Sequence, residues 1–255
     1  MDFQYIEKED KLLYSIYNPP QGFNHEDIGV VLCYPYGQEY TRCHKLYSNM
    51  AQRLSQVGFH VLRFDYYGTG DSDGEFSHVT LNSSIKDLKL AVDELKEACG
   101  VSKVILMGVR MGATLSLFYS KQYPISGLIL WNPILEGQAY LKEIDEGYRR
   151  WLNGSFTKEE RNQTGGMANF GYLFSQMLLK ELKAISVRGV DINQRIPTLL
   201  ISNSDYLRMS DCSNTTFIET VNKEYWMKRE NELDKGLIPV HELNSTVEWI
   251  TSNRF

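Results

Sequence analysis

Between residues 28 and 131 the chain alternates short, nearly unbroken apolar runs with segments of helical periodicity, and few architectures accept that rhythm. Ile28-Gly-Val-Val-Leu-Cys-Tyr34 places apolar residues at successive positions rather than at every second one, the mark of a strand buried on both faces. Leu46, Met50, Leu54 and Val57 then recur at helical spacing over 42–57, and Gly58 stops that helix. The cycle repeats. A strand over Phe59–Phe64 precedes a helix over 80–98, with Leu81, Ile85, Leu88, Ala91, Val92 and Leu95 on one face. A strand over Val104–Met107 precedes a helix from about 111 to 122, and Gly127–Trp131 is the next strand. Thr198–Ile201 reads as one more strand, and 243–253 as a closing helix. Strands that alternate with helices wind into a mostly parallel central sheet with helices on both faces and right-handed crossovers. The fold class is therefore α/β. The first residues, with Leu12-Leu-Tyr-Ser-Ile-Tyr17, read as an antiparallel hairpin pair that Pro19-Pro20 ends.

The interval 135–195 breaks the rhythm, with Trp151, Gly165-Gly166 and the apolar stretch Phe170–Phe174 followed by Met177-Leu-Leu179. A segment so long between two sheet strands reads as a helical cap inserted over the active face, although two ordinary crossover helices are the plainer alternative. The expected organisation is a core of 1–134 and 196–255 with a cap at 135–195.

Composition narrows the partners. The 255 residues carry a net charge of −5, so no basic excess supplies a phosphate-binding surface, and nucleic acid is not an expected partner. No run of eighteen apolar residues occurs, so no membrane span is expected. The start, MDFQYIEKED, has neither a basic n-region nor an apolar h-region and does not read as a secretory signal. Cys33, Cys43, Cys99 and Cys212 are far apart and form no C-x-x-C pair, which points to reduced thiols in the cytoplasm rather than to a metal knuckle or a disulfide framework. The sequons at Asn82, Asn153, Asn162, Asn214 and Asn244 are discounted for lack of export. Neither a metal nor a cofactor is called for. A homodimer stays open, since isologous pairs are common, but no segment demands one.

The most informative stretch is Val104-Ile-Leu-Met-Gly-Val-Arg-Met-Gly-Ala-Thr114, a strand that enters Gly108-x-Arg110-x-Gly112 and then a helix. This is the frame G-x-S-x-G, in which two glycines allow a sharp turn that lifts the central residue to the top of the sheet, with arginine in the serine position. Arg63-Phe-Asp-Tyr-Tyr-Gly-Thr-Gly-Asp-Ser-Asp-Gly74 and the strand Val30–Leu32 running into Tyr34-Pro-Tyr-Gly37 accompany it. On these residues the chain resembles the α/β-hydrolase superfamily over nearly its whole length. The block Pro35-Tyr-Gly-Gln-Glu-Tyr-Thr-Arg-Cys-His44, taken with G-x-R-x-G, is similar to the exosortase-system-associated hydrolase-like proteins, whose elbow also tends to carry arginine. The resemblance implies an α/β-hydrolase fold and an ancestral ester, thioester or acyl-transfer chemistry. It also implies an acid at Asp205, with Asp211 as second choice, a histidine at His241, and an oxyanion hole from the backbone N–H groups of Met111 and Tyr36. Asp205 read alone is also good turn chemistry, and His241 also suits the start of the last helix. The cluster Asp71-Ser-Asp-Gly74 fits loop structure, shaped by Asp65 and Gly68, better than a metal loop.

Arginine changes what the elbow can do. A guanidinium stays protonated and offers donors only, so no acyl-enzyme forms through residue 110. Three readings follow: a rewired site in which Arg110 anchors an acyl or anionic small molecule while His241 acts as base, oriented by Asp205; a pseudoenzyme that binds a ligand or a protein; and migration of the nucleophile to Cys43. Glu39 stands in the segment that would face the elbow and is the expected partner of Arg110. Tyr34, Tyr36, Tyr40, Tyr66 and Tyr67 fall in two loops at that face and read as a pocket wall, with Tyr36 and Tyr67 as ligand contacts beside Arg110 and Glu39.

Overall fold

The computed structural model describes residues 2–8, 11–21, 27–155, 168–169, 171–188, 192–203, 214–220 and 239–255. Strands β1 (Asp2–Lys8) and β2 (Lys11–Asn18) form the antiparallel hairpin, in register from Asp2 opposite Tyr17 to Lys8 opposite Lys11. Strand β3 (Ile28–Cys33) leads to helix α1 (Gln38–Gln56), β4 (His60–Phe64), a 3-10 turn (Phe76–His78) and α2 (Leu81–Cys99). Strand β5 (Lys103–Val109) leads to α3 (Met111–Ser120), then β6 (Gly127–Trp131) and α4 (Gly137–Ser155). A two-stranded pair, β7 (Ala168–Asn169) and β8 (Tyr172–Leu173), precedes α5 (Gln176–Lys183). Strands β9 (Thr198–Ser202) and β10 (Thr215–Glu219) and helix α6 (Val240–Ser252) follow.

One eight-stranded sheet has the order β1-β2-β4-β3-β5-β6-β9-β10. β2 meets β4 antiparallel, and every pairing from β4 to β10 is parallel. The continuous apolar runs are the central strands: all residues of β3, β6 and β9 are buried, as helices on both faces require. The helical faces expected over 42–57 and 80–98 pack on that sheet, with Leu46, Met50 and Leu54 of α1 and Leu88, Ala91 and Leu95 of α2 in the core. α2 starts at a capping box, in which the Thr80 hydroxyl accepts the Ser83 N–H (3.0 Å) and the Ser83 hydroxyl accepts the Thr80 N–H (2.9 Å). Gly100, left-handed at φ 69°, ends it.

The edge strand β10 is absent from the sequence reading. Thr-Thr-Phe-Ile-Glu has no unbroken apolar run, because as an outer strand it is only half covered. Between β6 and β9, α4, β7, β8 and α5 clip back onto the core. The Glu181 carboxylate on α5 accepts the Leu81 N–H at the start of α2 (2.6 Å), and Phe76 packs edge-on against Tyr172 and Phe174. At the entrance to α4, a side chain on Gly137 would run into the Leu182 carbonyl at 1.6 Å, so the two ends of this segment are in direct backbone contact. No helix among the described residues is long and apolar enough to cross a membrane.

Candidate functional site at the strand-to-helix elbow

Residue 110 sits where β5 turns into α3. Its φ of 53° and ψ of −119° lie in a region that non-glycine residues rarely enter, and the turn survives because its surroundings fix it. The Arg110 N–H donates to the Trp131 carbonyl on β6 (2.8 Å), while its own carbonyl accepts from Ala113 and Thr114 of α3. The flanking glycines are steric requirements. A Cβ on Gly108 would meet the Gly112 carbonyl carbon at 2.3 Å, and one on Gly112 would meet the Cys33 oxygen at 1.9 Å. The elbow is thus pressed against the end of β3. Next to it Asn132 also takes a positive φ, 43°, held by its N–H on Ile201 (2.8 Å) and by the Ser202 hydroxyl donating to its side-chain oxygen (2.8 Å). The C-terminal ends of β5, β6 and β9 are tied together in this way.

The guanidinium is buried and held by two carboxylates. Arg110 Nε donates to Glu39 Oε1 (2.8 Å) and Nη2 to Glu143 Oε2 (2.7 Å), and the group lies over the Tyr140 ring at 5.5 Å. The Tyr140 hydroxyl donates weakly to Glu39 Oε2 (3.4 Å). Burial pulls the Arg110 pKa down, but Glu39 and Glu143 more than offset it, and the cation is held charged. Burial lifts the Glu39 carboxyl above its ordinary value, against the opposing pull of Arg110. One cation thus faces two carboxyl groups.

The expected pair of Arg110 and Glu39 is formed. Glu143 and Tyr140 are new; they stand three residues apart on one face of α4, and nothing in their own spacing says which face meets the elbow. Met111 is the first residue of α3, so its N–H has no intrahelical acceptor. The tyrosines differ from the pocket wall read in the sequence: Tyr34, Tyr36, Tyr40 and Tyr66 are buried. The Tyr36 hydroxyl donates to Ser84 (2.6 Å) and its ring meets Tyr66 and Phe76 edge-on, leaving only its backbone to face a ligand. In Tyr36 and Tyr40 the hydroxyl reaches a buried acceptor, Ser84 and Asp65, while the ring fills the core. Tyr67 lies under Lys11, beside the ion pair of Lys11 with Asp87 (3.0 Å), rather than in the Arg110 cluster. His241 is exposed in the first turn of α6 and makes no bond to that cluster. Asp205 and Asp211 lie outside the described residues. Burial, reinforced by Glu39, pushes the Cys43 thiol far up, so it offers no thiolate, and burial pushes Cys33 up to about 12. Asp65 does shape its loop: its carboxylate accepts the Tyr40 hydroxyl (2.9 Å) and the Asp71 N–H (3.0 Å), and its carbonyl accepts the Ser72 hydroxyl (2.7 Å).

This strand order, with a strained turn between its central strand and a helix, defines an α/β-hydrolase-fold protein. The chain belongs to the serine aminopeptidase S33 family, whose model matches residues 30–165. No curated protein matches it at a significant level. Among solved structures it is similar to Est1E from Butyrivibrio proteoclasticus with ferulic acid bound, at 17% identity over 98% of this chain and 100% of that one, TM-score 0.68. An esterase from Pyrococcus furiosus is 18% identical over 98% of this chain and 89% of its own, TM-score 0.66. The enol-lactonase from Burkholderia xenovorans is 14% identical over 98% and 100%, TM-score 0.64. At such identities the likeness carries the fold and nothing finer.

Proposed function

We propose that this chain is a non-hydrolytic member of the esterase-like α/β-hydrolase class, a ligand-binding module in which Arg110 takes the place of the serine nucleophile. The observation that carries this reading is the clamp. A guanidinium cannot attack a carbonyl, and here two carboxylates hold it. The inert thiols of Cys33 and Cys43 speak against a migrated nucleophile. The segment 135–195 serves as the cap, since Tyr140 and Glu143 reach the elbow from it. The arginine in G-x-R-x-G and the block Pro35–His44 support placement in the exosortase-system-associated branch. The described cysteines are unpaired, as in a reducing cytoplasm.

A second reading is a rewired acyl-ligand site. The N–H of Met111, first in α3 and without an intrahelical acceptor, favours it, because a donor at a helix start suits a ligand oxygen, and the Tyr36 N–H would be the second donor. In that reading His241 is the base and Asp205 orients it. The two readings share the absence of an acyl-serine. A fluorophosphonate probe, applied under conditions that label an ordinary serine esterase, is expected to leave this protein unlabelled by intact-mass measurement. A covalent adduct on any serine would sink both.

A further inference from the structure

The two carboxylates on Arg110 are not equivalent. Glu39 is 7% exposed, belongs to α1 and also accepts from Tyr140, so it is fixed within the core. Glu143 is 36% exposed, belongs to α4 and makes one bond to Nη2. The guanidinium side chain is itself only 7% exposed, and among the described residues Nη1 has no acceptor. A buried cation with an unspent pair of donors and one half-exposed acceptor is half of a fork that prefers a two-point partner.

We infer that Glu143 is an internal stand-in for the ligand. A small monocarboxylate displaces it and takes Nη1 and Nη2 of Arg110 together, while Glu39 stays on Nε. The inference rests on the non-hydrolytic reading of the elbow. Charge decides the class. Exchanging one carboxylate for another leaves the net charge of the cluster unchanged, and Glu143 regains water because it already faces it. A phosphate dianion would bring one negative charge more than the carboxylate it replaces, beside the buried Glu39, and an ammonium cannot accept the N–H groups that Glu143 gives up. Size decides the source: with the Arg110 side chain only 7% exposed, only a slender group reaches its Nη1 end, which favours a small molecule over a folded partner. The exchange removes one of the two ties between α4 and the elbow, while Tyr140 keeps the helix on Glu39 and the guanidinium.

The test is isothermal titration of octanoate into wild type, Glu143→Gln and Glu146→Gln, with n-octylamine as the probe of opposite charge. Removing the competing charge is expected to tighten octanoate binding by roughly tenfold or more in Glu143→Gln, the scale of one hydrogen bond to a charged group. Glu146, also on α4 but paired with Lys142 and well exposed, should leave the affinity unchanged when neutralised. Octylamine should gain nothing from either change. Should the glutamine variant fold poorly, Glu143→Asp withdraws the carboxylate by one methylene and is expected to give the same gain in smaller measure. Equal octanoate affinity in wild type and Glu143→Gln, an equal gain from Glu146→Gln, or no octanoate binding at all would overturn the exchange. Serine labelling in the fluorophosphonate experiment would overturn the non-hydrolytic reading instead, with this titration still readable on its own.

Discussion

A buried guanidinium is tolerated only where carboxylates answer it, and each partner depends on the other more than the fold depends on the pair. Replacing Arg110 by serine leaves Glu39 buried and uncompensated, so Arg110→Ser is expected to lose about 3–5 kcal/mol in urea unfolding. Adding Glu39→Gln should return most of that loss, because a neutral amide carries a smaller desolvation penalty; a double variant no more stable than the single one would contradict the clamp. Asp65 gives a second residue-scale expectation. Burial raises its carboxyl to about 6, against the bonds from Asp71 and Tyr40. A carboxyl raised above its unfolded value of 3.8 stabilises the fold below that pH, and the contribution is lost as pH rises through about 6. The stability difference between Asp65→Asn and wild type should therefore move in favour of the variant by roughly 2–3 kcal/mol from pH 4 to pH 7, from about 1.4 kcal/mol per pKa unit. A pH-independent difference would show that Asp65 keeps an ordinary carboxyl. At this scale the sequence discloses Arg110 and Glu39, because the G-x-R-x-G frame fixes where one points and the first turn of α1 carries the other. It does not disclose Glu143, whose partner is set by how α4 lies across the sheet.

The elements explain why the elbow is rigid enough to hold a strained arginine. Gly112 lets α3 approach the end of β3 so closely that an added methyl would sit at 1.9 Å from the Cys33 carbonyl. Backbone on both sides cannot yield as a side chain does, so Gly112→Ala is expected to cost about 3 kcal/mol, at the upper end of overpacking penalties. A loss under about 1 kcal/mol in chemical denaturation would mean that β3 and α3 are less tightly joined than this. By contrast, Gly100→Ala meets no steric obstacle, only the cost of a left-handed residue at φ 69°. The helices are legible in sequence because their apolar stripes repeat at the period of the element they form. Sequence fares worse with β10 and with the segment from α4 to α5. An edge strand needs only one covered side, and a segment that lies over other elements takes its contacts from them rather than from its own pattern.

For the whole molecule, the alternation of strand and helix limits the answer to a parallel sheet, and the antiparallel hairpin at its start is equally readable from Pro19-Pro20 and the residues before it. The strand order is not readable in this way, because it depends on which side of β3 each crossover returns. Once β3 has β4 on one side and β5 on the other, the remaining strands β6, β9 and β10 join on the β5 side in chain order. This has a consequence for synthesis on the ribosome. The middle of the sheet is complete once residue 109 has emerged, and each later strand meets a ready-made neighbour as it appears. The growing edge then stays bare only for the time translation takes to reach the next strand, which shortens the window in which a nascent chain could pair with another copy.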